Sequence, residues 1–218
     1  MELFVDSACV DEIRSLCDLG IIDGVTTNPS LIARTGRPIQ DVISEIASCV
    51  EGAVSAEVVA ESCDDMVRQG IGLASIADNV VIKLPMTWEG IKACQILSSK
   101  EYMVNMTLCF SANQALLAAK SGAFFISPFV GRVDDLTFDG TSLIQDIRDL
   151  YDVHAFETRV LAASIRTVCH VKQAALAGAD CATLPPAVVQ KLISHPLTNI
   201  GLQDFLSDWQ STGQTFPF

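Results

Sequence analysis

One lysine stands apart from the rest. Lys83 lies inside the apolar run Val80-Val81-Ile82-Lys83-Leu84-Pro85, whereas Lys92, Lys100, Lys120, Lys172 and Lys191 fall on helix-like stretches or their flanks. In an extended strand side chains alternate, so Lys83 shares a face with Val81 and Pro85, opposite Ile82 and Leu84. If that face turns inward, the ammonium loses water and the neutral, nucleophilic amine is favoured. Such an amine attacks carbonyls to give a Schiff base. The other reading is a structural lysine paired to Glu57 or Asp6; spacing leaves both open.

Asp6 and Glu57 supply two carboxylates whose environments could set them apart as acid and base. They could equally balance the charge of Lys83. Around them runs a polar series at the ends of apolar segments: Asp6, Thr26-Thr27-Asn28, Glu57, Lys83, Asn105 and Thr107, Ser127, then Ser164. A single polar strand end is ordinary. A series from seven successive strands implies a shared mouth. Arg132, Ser164 and Arg166 form a candidate phosphate clamp, since guanidinium groups and free helix N–H groups both suit phosphate oxygens. His154, His170 and His195 show no ligand spacing, so no metal site and no Ser-His-Asp triad is expected. Trp88 and Trp209 read as helix packing residues, with Trp88 able to border a site at Lys83.

These residues need elements to position them. Strands are expected near Leu3–Asp6, Gly24–Thr27, Val54–Val58, Val80–Leu84, Tyr102–Thr107, Phe124–Ser127, Val160–Ala163 and Cys181–Leu184. Helix-period stretches fall between them at Ile39–Cys49, Asp64–Ile76, Trp88–Ser98, Ala112–Lys120, Ser142–Tyr151 and Thr167–Leu176. Two last helices are expected at Pro186–Ile193 and Leu202–Trp209. Strict alternation implies a parallel sheet with right-handed crossovers. No G-x-G-x-x-G follows the first strand, which argues against an open dinucleotide-binding sheet. The α/β chain is therefore expected to be a single (β/α)8 TIM barrel with an additional C-terminal helix, one domain over residues 1–218.

Composition narrows the partners. Fourteen basic against twenty-six acidic side chains give a formal net charge of −12. Nucleic acid and anionic membranes are repelled by such a chain. A phosphorylated ligand must then be held by a few local cations. Mean hydropathy is +0.37, yet no apolar run reaches membrane-span length, and the acidic start Met1-Glu2-Leu3-Phe4-Val5-Asp6 lacks the basic region of a signal peptide. Eight scattered cysteines without C-x-x-C suggest reduced thiols in a cytoplasmic protein.

The chain resembles the transaldolase family and, in length, its small subfamily that includes fructose-6-phosphate aldolases. The stretches that carry the resemblance begin with Asp23-Gly24-Val25-Thr26-Thr27-Asn28-Pro29-Ser30-Leu31-Ile32 and Val81-Ile82-Lys83-Leu84-Pro85-Met86-Thr87-Trp88-Glu89-Gly90. They continue with Asn105-Met106-Thr107-Leu108-Cys109-Phe110-Ser111, Ser127-Pro128-Phe129-Val130-Gly131-Arg132 and Leu161-Ala162-Ala163-Ser164. Leu84 and Met106 depart from the more usual Ile and Cys.

The resemblance implies that Lys83 attacks the C2 carbonyl of a ketose phosphate and that Asp6 takes the C4 hydroxyl proton. Glu57, through a water near Thr107, would move protons during dehydration. Asn28 and Ser127 would bind hydroxyls of the three-carbon fragment, Thr27, Asn105 and Phe129 would belong to the substrate-binding set, and Arg132, Ser164 and Arg166 would hold the phosphate. No metal or organic cofactor is implied, because the iminium is the electron sink. Glu57 and Phe129 are the pair typical of transaldolases, where the aldolases carry Gln and Tyr. A fructose-6-phosphate aldolase releasing free dihydroxyacetone is the alternative activity, and a non-catalytic sugar-phosphate-binding barrel the alternative of another class. Small members of the family form pentamers or decamers, and the apolar tail from Leu202 to Phe218 suits a homo-oligomer contact.

Overall fold

A computed structural model of the chain describes residues 1–216. Eight parallel strands close into a barrel in chain order. They are β1 (Glu2–Asp6), β2 (Gly24–Thr26), β3 (Val54–Glu57), β4 (Val80–Pro85), β5 (Val104–Cys109), β6 (Phe125–Pro128), β7 (Arg159–Ala162) and β8 (Cys181–Leu184). Closure is direct, Val5 of β1 standing beside Leu184 of β8. The fold is the expected (β/α)8 barrel with a further C-terminal helix.

Helices run between and after the strands. In chain order they are α1 (Val10–Cys17), α2 (Pro29–Thr35), α3 (Ile39–Cys49), α4 (Cys63–Ala74), α5 (Trp88–Ser98), α6 (Ala112–Lys120), α7 (Val130–Asp134), α8 (Gly140–His154), α9 (Val168–Leu176), α10 (Pro186–Lys191) and α11 (Pro196–Ser211). Their starts are written in side chains. Thr87, Ser111 and Thr167 each accept a hydrogen bond from an N–H in the first turn that follows, satisfying a donor with no partner inside the helix. α11 is longer than the expected Leu202–Trp209, because Pro196 fits its first turn and His195 caps it. Of the tail, Pro217 and Phe218 lie outside the described residues.

Strand alternation sorts the core into two bodies. Outward-facing residues such as Val5, Val25, Ile82, Leu84, Met106, Ile126 and Leu184 join the helices in one large cluster. Inward-facing Phe4, Val81, Phe125, Leu161 and Cys181 form a second cluster inside the barrel. Phe4 and Phe125 meet edge to face at 5.9 Å and 81°. Each buried ring is worth on the order of 2–3 kcal/mol. Gly24 is small by necessity: a Cβ there would stand 2.7 Å from the Phe4 ring and from the Ala53 carbonyl. Beneath this layer Arg159 bonds Glu2 at 2.7 Å and lies over the Phe125 ring, 5.3 Å from its centroid.

β5 differs most from expectation, beginning and ending two residues later than Tyr102–Thr107. Glu101 takes a left-handed turn at φ 66° just upstream, and a register shift between Met106 and Cys109 extends the strand's far end. Among the described residues no helix is long and apolar enough to cross a membrane. All eight cysteines are free thiols.

Candidate active site

Two residues along β1, β4, β6 and β8 from the apolar plug, the inward face turns polar. Register makes neighbours of the key groups: Asp6 beside Thr26, Glu57 beside Lys83, Lys83 beside Asn105, and Pro85 beside Thr107. The cleft above them has a volume of about 500 Å³ and is walled by Asp6, Asn28, Glu57, Lys83, Ser127, Phe129, Arg132 and Ser164, with other mouth residues between. Its position at the carboxyl ends of the strands is where barrel enzymes work.

Lys83 is 6% exposed. Its ammonium pairs with Glu57 Oε2 at 2.9 Å and donates to the Thr27 carbonyl at 3.0 Å. An ammonium has three N–H donors, which leaves one for the cleft. Glu57 is also the nearest group able to accept the proton that a nucleophilic amine must lose.

Asp6 sits in a chain of hydroxyls. Thr26 donates to Asp6 Oδ1 at 2.9 Å, and Thr183 lies 2.6 Å from the same Thr26 oxygen. Thr26 has one proton and gives it to Asp6, so Thr183 is the donor to Thr26. Burial pushes the Asp6 carboxyl above the usual aspartate range, against the opposing pull of the Thr26 hydrogen bond and the Lys83 charge. A carboxylate poised upward in this way is a better base.

A third cluster joins β3, β5 and β6. Asn105 donates to Ser55 at 3.1 Å, and Ser127 donates to Asn105 Oδ1 at 2.7 Å. Thr107 Oγ1 is buried without a partner among the described residues. An unsatisfied buried hydroxyl costs about 1–3 kcal/mol unless a small polar molecule reaches it. Thr107 is therefore a ready anchor for a water.

The structure separates the expected residues. Thr27 is fully buried, its hydroxyl spent on the Ser55 carbonyl, and it reaches the site through its own carbonyl on Lys83. Asn28 lines the cleft while its Oδ1 caps α2 through Leu31 N–H at 3.0 Å. Phe129 lies edge-on to Phe110 at 5.5 Å and carries the Arg132 guanidinium 5.0 Å over its ring. Ser164 lies at the mouth at φ 57°. Arg166 is not on the cleft wall; both of its terminal nitrogens are engaged by Asp135.

Some cleft residues do not stand out in the sequence. Thr183 follows Cys181 by two on β8, so alternation alone could have marked it. Arg34 lies in the last turn of α2 and reaches the cleft. A seven-residue helix has too little periodicity to reveal it. Leu108 joins the wall at the β5 irregularity, where alternation fails.

The sequence is similar to known proteins over nearly its whole length. The family model described as Transaldolase/Fructose-6-phosphate aldolase matches residues 3–216. A "Probable transaldolase" of Roseobacter denitrificans (strain ATCC 33942 / OCh 114) is 61% identical over 214 residues, covering 98% of this chain and 99% of that protein. Proteins of the same name from Dinoroseobacter shibae (strain DSM 16493 / NCIMB 14021 / DFL 12) and Chelativorans sp. (strain BNC1) are 60% and 59% identical over the same length, with the same coverage. Set beside a buried lysine in a closed barrel mouth, these matches show that the chain belongs to the transaldolase/fructose-6-phosphate aldolase family.

Proposed function

We propose that the chain is a transaldolase, moving a dihydroxyacetone unit from a ketose phosphate such as sedoheptulose 7-phosphate or fructose 6-phosphate to an aldose phosphate. The observation that carries this is the buried Lys83 amine, 2.9 Å from Glu57 at the floor of the cleft. Glu57 takes a proton from Lys83, and the freed amine adds to the C2 carbonyl. The carbinolamine loses water with proton transfer by Glu57 through a water held at Thr107. Asp6 then removes the C4 hydroxyl proton. The C3–C4 bond breaks, its electrons pass into the iminium, and an aldose phosphate leaves.

The enamine left on Lys83 must survive until an acceptor arrives. Phe129 has no proton to give it, which favours transfer over release of dihydroxyacetone. The acceptor aldehyde takes the enamine carbon, its oxygen regains a proton from Asp6, and hydrolysis frees Lys83. Asn28, Asn105 and Ser127 are suited to the hydroxyls of the three-carbon fragment, while Arg132 and Ser164 suit the phosphate. Thr27 contributes through its carbonyl on Lys83. Arg166 would contribute after releasing Asp135. The steps call for no metal or organic cofactor.

The same reading places one catalytic domain over residues 1–218 in the cytoplasm, within the non-oxidative pentose phosphate pathway. The free thiols support that compartment. A homo-oligomer, pentamer or decamer, is supported by α11, where Leu197, Ile200, Phe205 and Leu206 are exposed. The test is glyceraldehyde 3-phosphate release from fructose 6-phosphate with and without erythrose 4-phosphate. Transfer requires that release depend on the acceptor. Equal release without it would make the enzyme an aldolase and overturn the argument from Phe129.

A further inference from the structure

The chain has eight arginines, and six of them are ion-paired. Arg14 meets Asp11 at 3.7 Å, Arg68 meets Asp65 at 2.6 Å, and Arg159 meets Glu2 at 2.7 Å. Arg148 bridges Asp152 and Asp180, Arg37 pairs with Glu45, and Arg166 with Asp135. Among the described residues, the two arginines without a carboxylate partner are Arg34 and Arg132. Both line the cleft.

With twenty-six acidic side chains in the molecule, a guanidinium readily finds a carboxylate. Two that do not, at one opening, are available to an external anion. They are not neighbours. Arg34 lies in the last turn of α2, which follows β2, whereas Arg132 lies in α7, which follows β6. From β2 to β6 is four strand positions in either direction around the ring, so the two cations rise from opposite walls. Arg34 also borders a second hollow of about 450 Å³ that contains Asp11, Glu12 and Glu45. Those three carboxylates are engaged by Arg14, Ser7 and Arg37 respectively, leaving Arg34 to the cleft.

We propose that Arg34 binds the phosphate of the substrate from the wall opposite Arg132. It adds a guanidinium to the clamp expected from Arg132, Ser164 and Arg166. The anion is a phosphate dianion, matched by the planar fork of the guanidinium. That the phosphate is carried by a sugar rests on the transaldolase reading; the affinity for phosphate does not.

The experiment titrates inorganic phosphate calorimetrically into the native chain, Arg34→Gln, Arg34→Lys and Arg68→Gln. The last removes the same unit of charge from an ion-paired site on α4, outside the cleft. Arg34→Gln should weaken phosphate binding roughly fivefold to twentyfold, the range for an exposed charge-assisted contact. Arg34→Lys should recover part of the loss, and Arg68→Gln should bind within twofold of native. The KM for fructose 6-phosphate should rise with Arg34→Gln by a similar factor, with the loss in KM rather than kcat. Unchanged phosphate binding in Arg34→Gln, an equal loss in Arg68→Gln, or no phosphate binding by the native chain would each overturn the proposal. If the native chain turns over no ketose phosphate but the titrations still separate Arg34→Gln from Arg68→Gln, the transaldolase reading falls and Arg34 stands.

Discussion

The inside of the barrel is one surface with two characters. Phe4, Val81, Phe125 and Cys181 fill its lower part, and Asp6, Lys83, Ser127 and Thr183 follow each of them by two residues on the same strands. On β1 and β4 backbone pairing runs through both layers, so there the ladder does not distinguish them. The lower layer is held by burial of apolar area, which is tolerant of direction. The upper layer is held by hydrogen bonds and charge, which are not: Lys83 to Glu57 and Thr27, Asp6 to Thr26 to Thr183, Ser127 to Asn105 to Ser55. The lesson is a division of labour along these four strands, two residues deep. The plug fixes the strands, and the strands fix the polar groups to within hydrogen-bonding tolerance.

That division can be broken by substitutions on either side of it, ranked by their effect on turnover. Lys83→Ala should remove turnover by at least about 10³-fold while the barrel still forms. Borohydride reduction in the presence of fructose 6-phosphate should add mass to the native chain and none to the variant. A variant that still traps substrate would move the nucleophile elsewhere.

Asp6→Asn comes next, with a drop of about 10²–10⁴-fold. Its stability should move the other way. Burial raises the folded-state pKa of Asp6, so the stability it contributes is present below the ordinary aspartate pKa and is lost as pH rises through the raised folded value. At neutral pH the ionised carboxylate is therefore a cost, and Asn removes it. Thermal melts should show the variant as stable as native or more so at pH 7, with the gap closing on acidification. Native kcat/KM should fall on acidification with a midpoint above the usual aspartate range. A less stable Asp6→Asn at neutral pH would contradict the burial argument.

Phe125→Ala has the smallest expected effect on turnover and a large one on stability. It empties part of the plug and should cost about 3–5 kcal/mol in urea unfolding. Activity per folded molecule should stay within a fewfold of native, because Ser127 is still carried by β6. Loss of activity in a folded variant would show that the two layers are not separable.

Much of this arrangement is legible in the sequence, for physical reasons that differ by element. Lys83 is readable because a single charge inside an apolar strand must be either paired or put to chemical use, and here it is paired at a cleft. The bounds of α3, α5 and α6 coincide with the expected Ile39–Cys49, Trp88–Ser98 and Ala112–Lys120, since caps and periodicity agree there. α1, α2 and α7 are absent from the sequence expectation. They have eight, seven and five residues, too few turns for a periodic stripe to stand out. The arginines are only half readable. Arg166 is held by Asp135, thirty-one positions away in sequence, and no local pattern carries that information. Thr27 shows the converse limit, since its motif is plain but the burial of its side chain depends on β3.

Leu108 has a consequence of a different order. It lies within β5 at φ 59°, a left-handed conformation, and its side chain reaches the cleft wall because the strand's register slips there. A non-glycine residue in that region carries about 1–2 kcal/mol of backbone strain. Glycine would relax the strand and withdraw an apolar side chain from the opening, so the barrel could gain robustness by the same change that loosens its catalytic enclosure. A search for thermostable variants would be drawn to this position first, and would be the wrong guide to it.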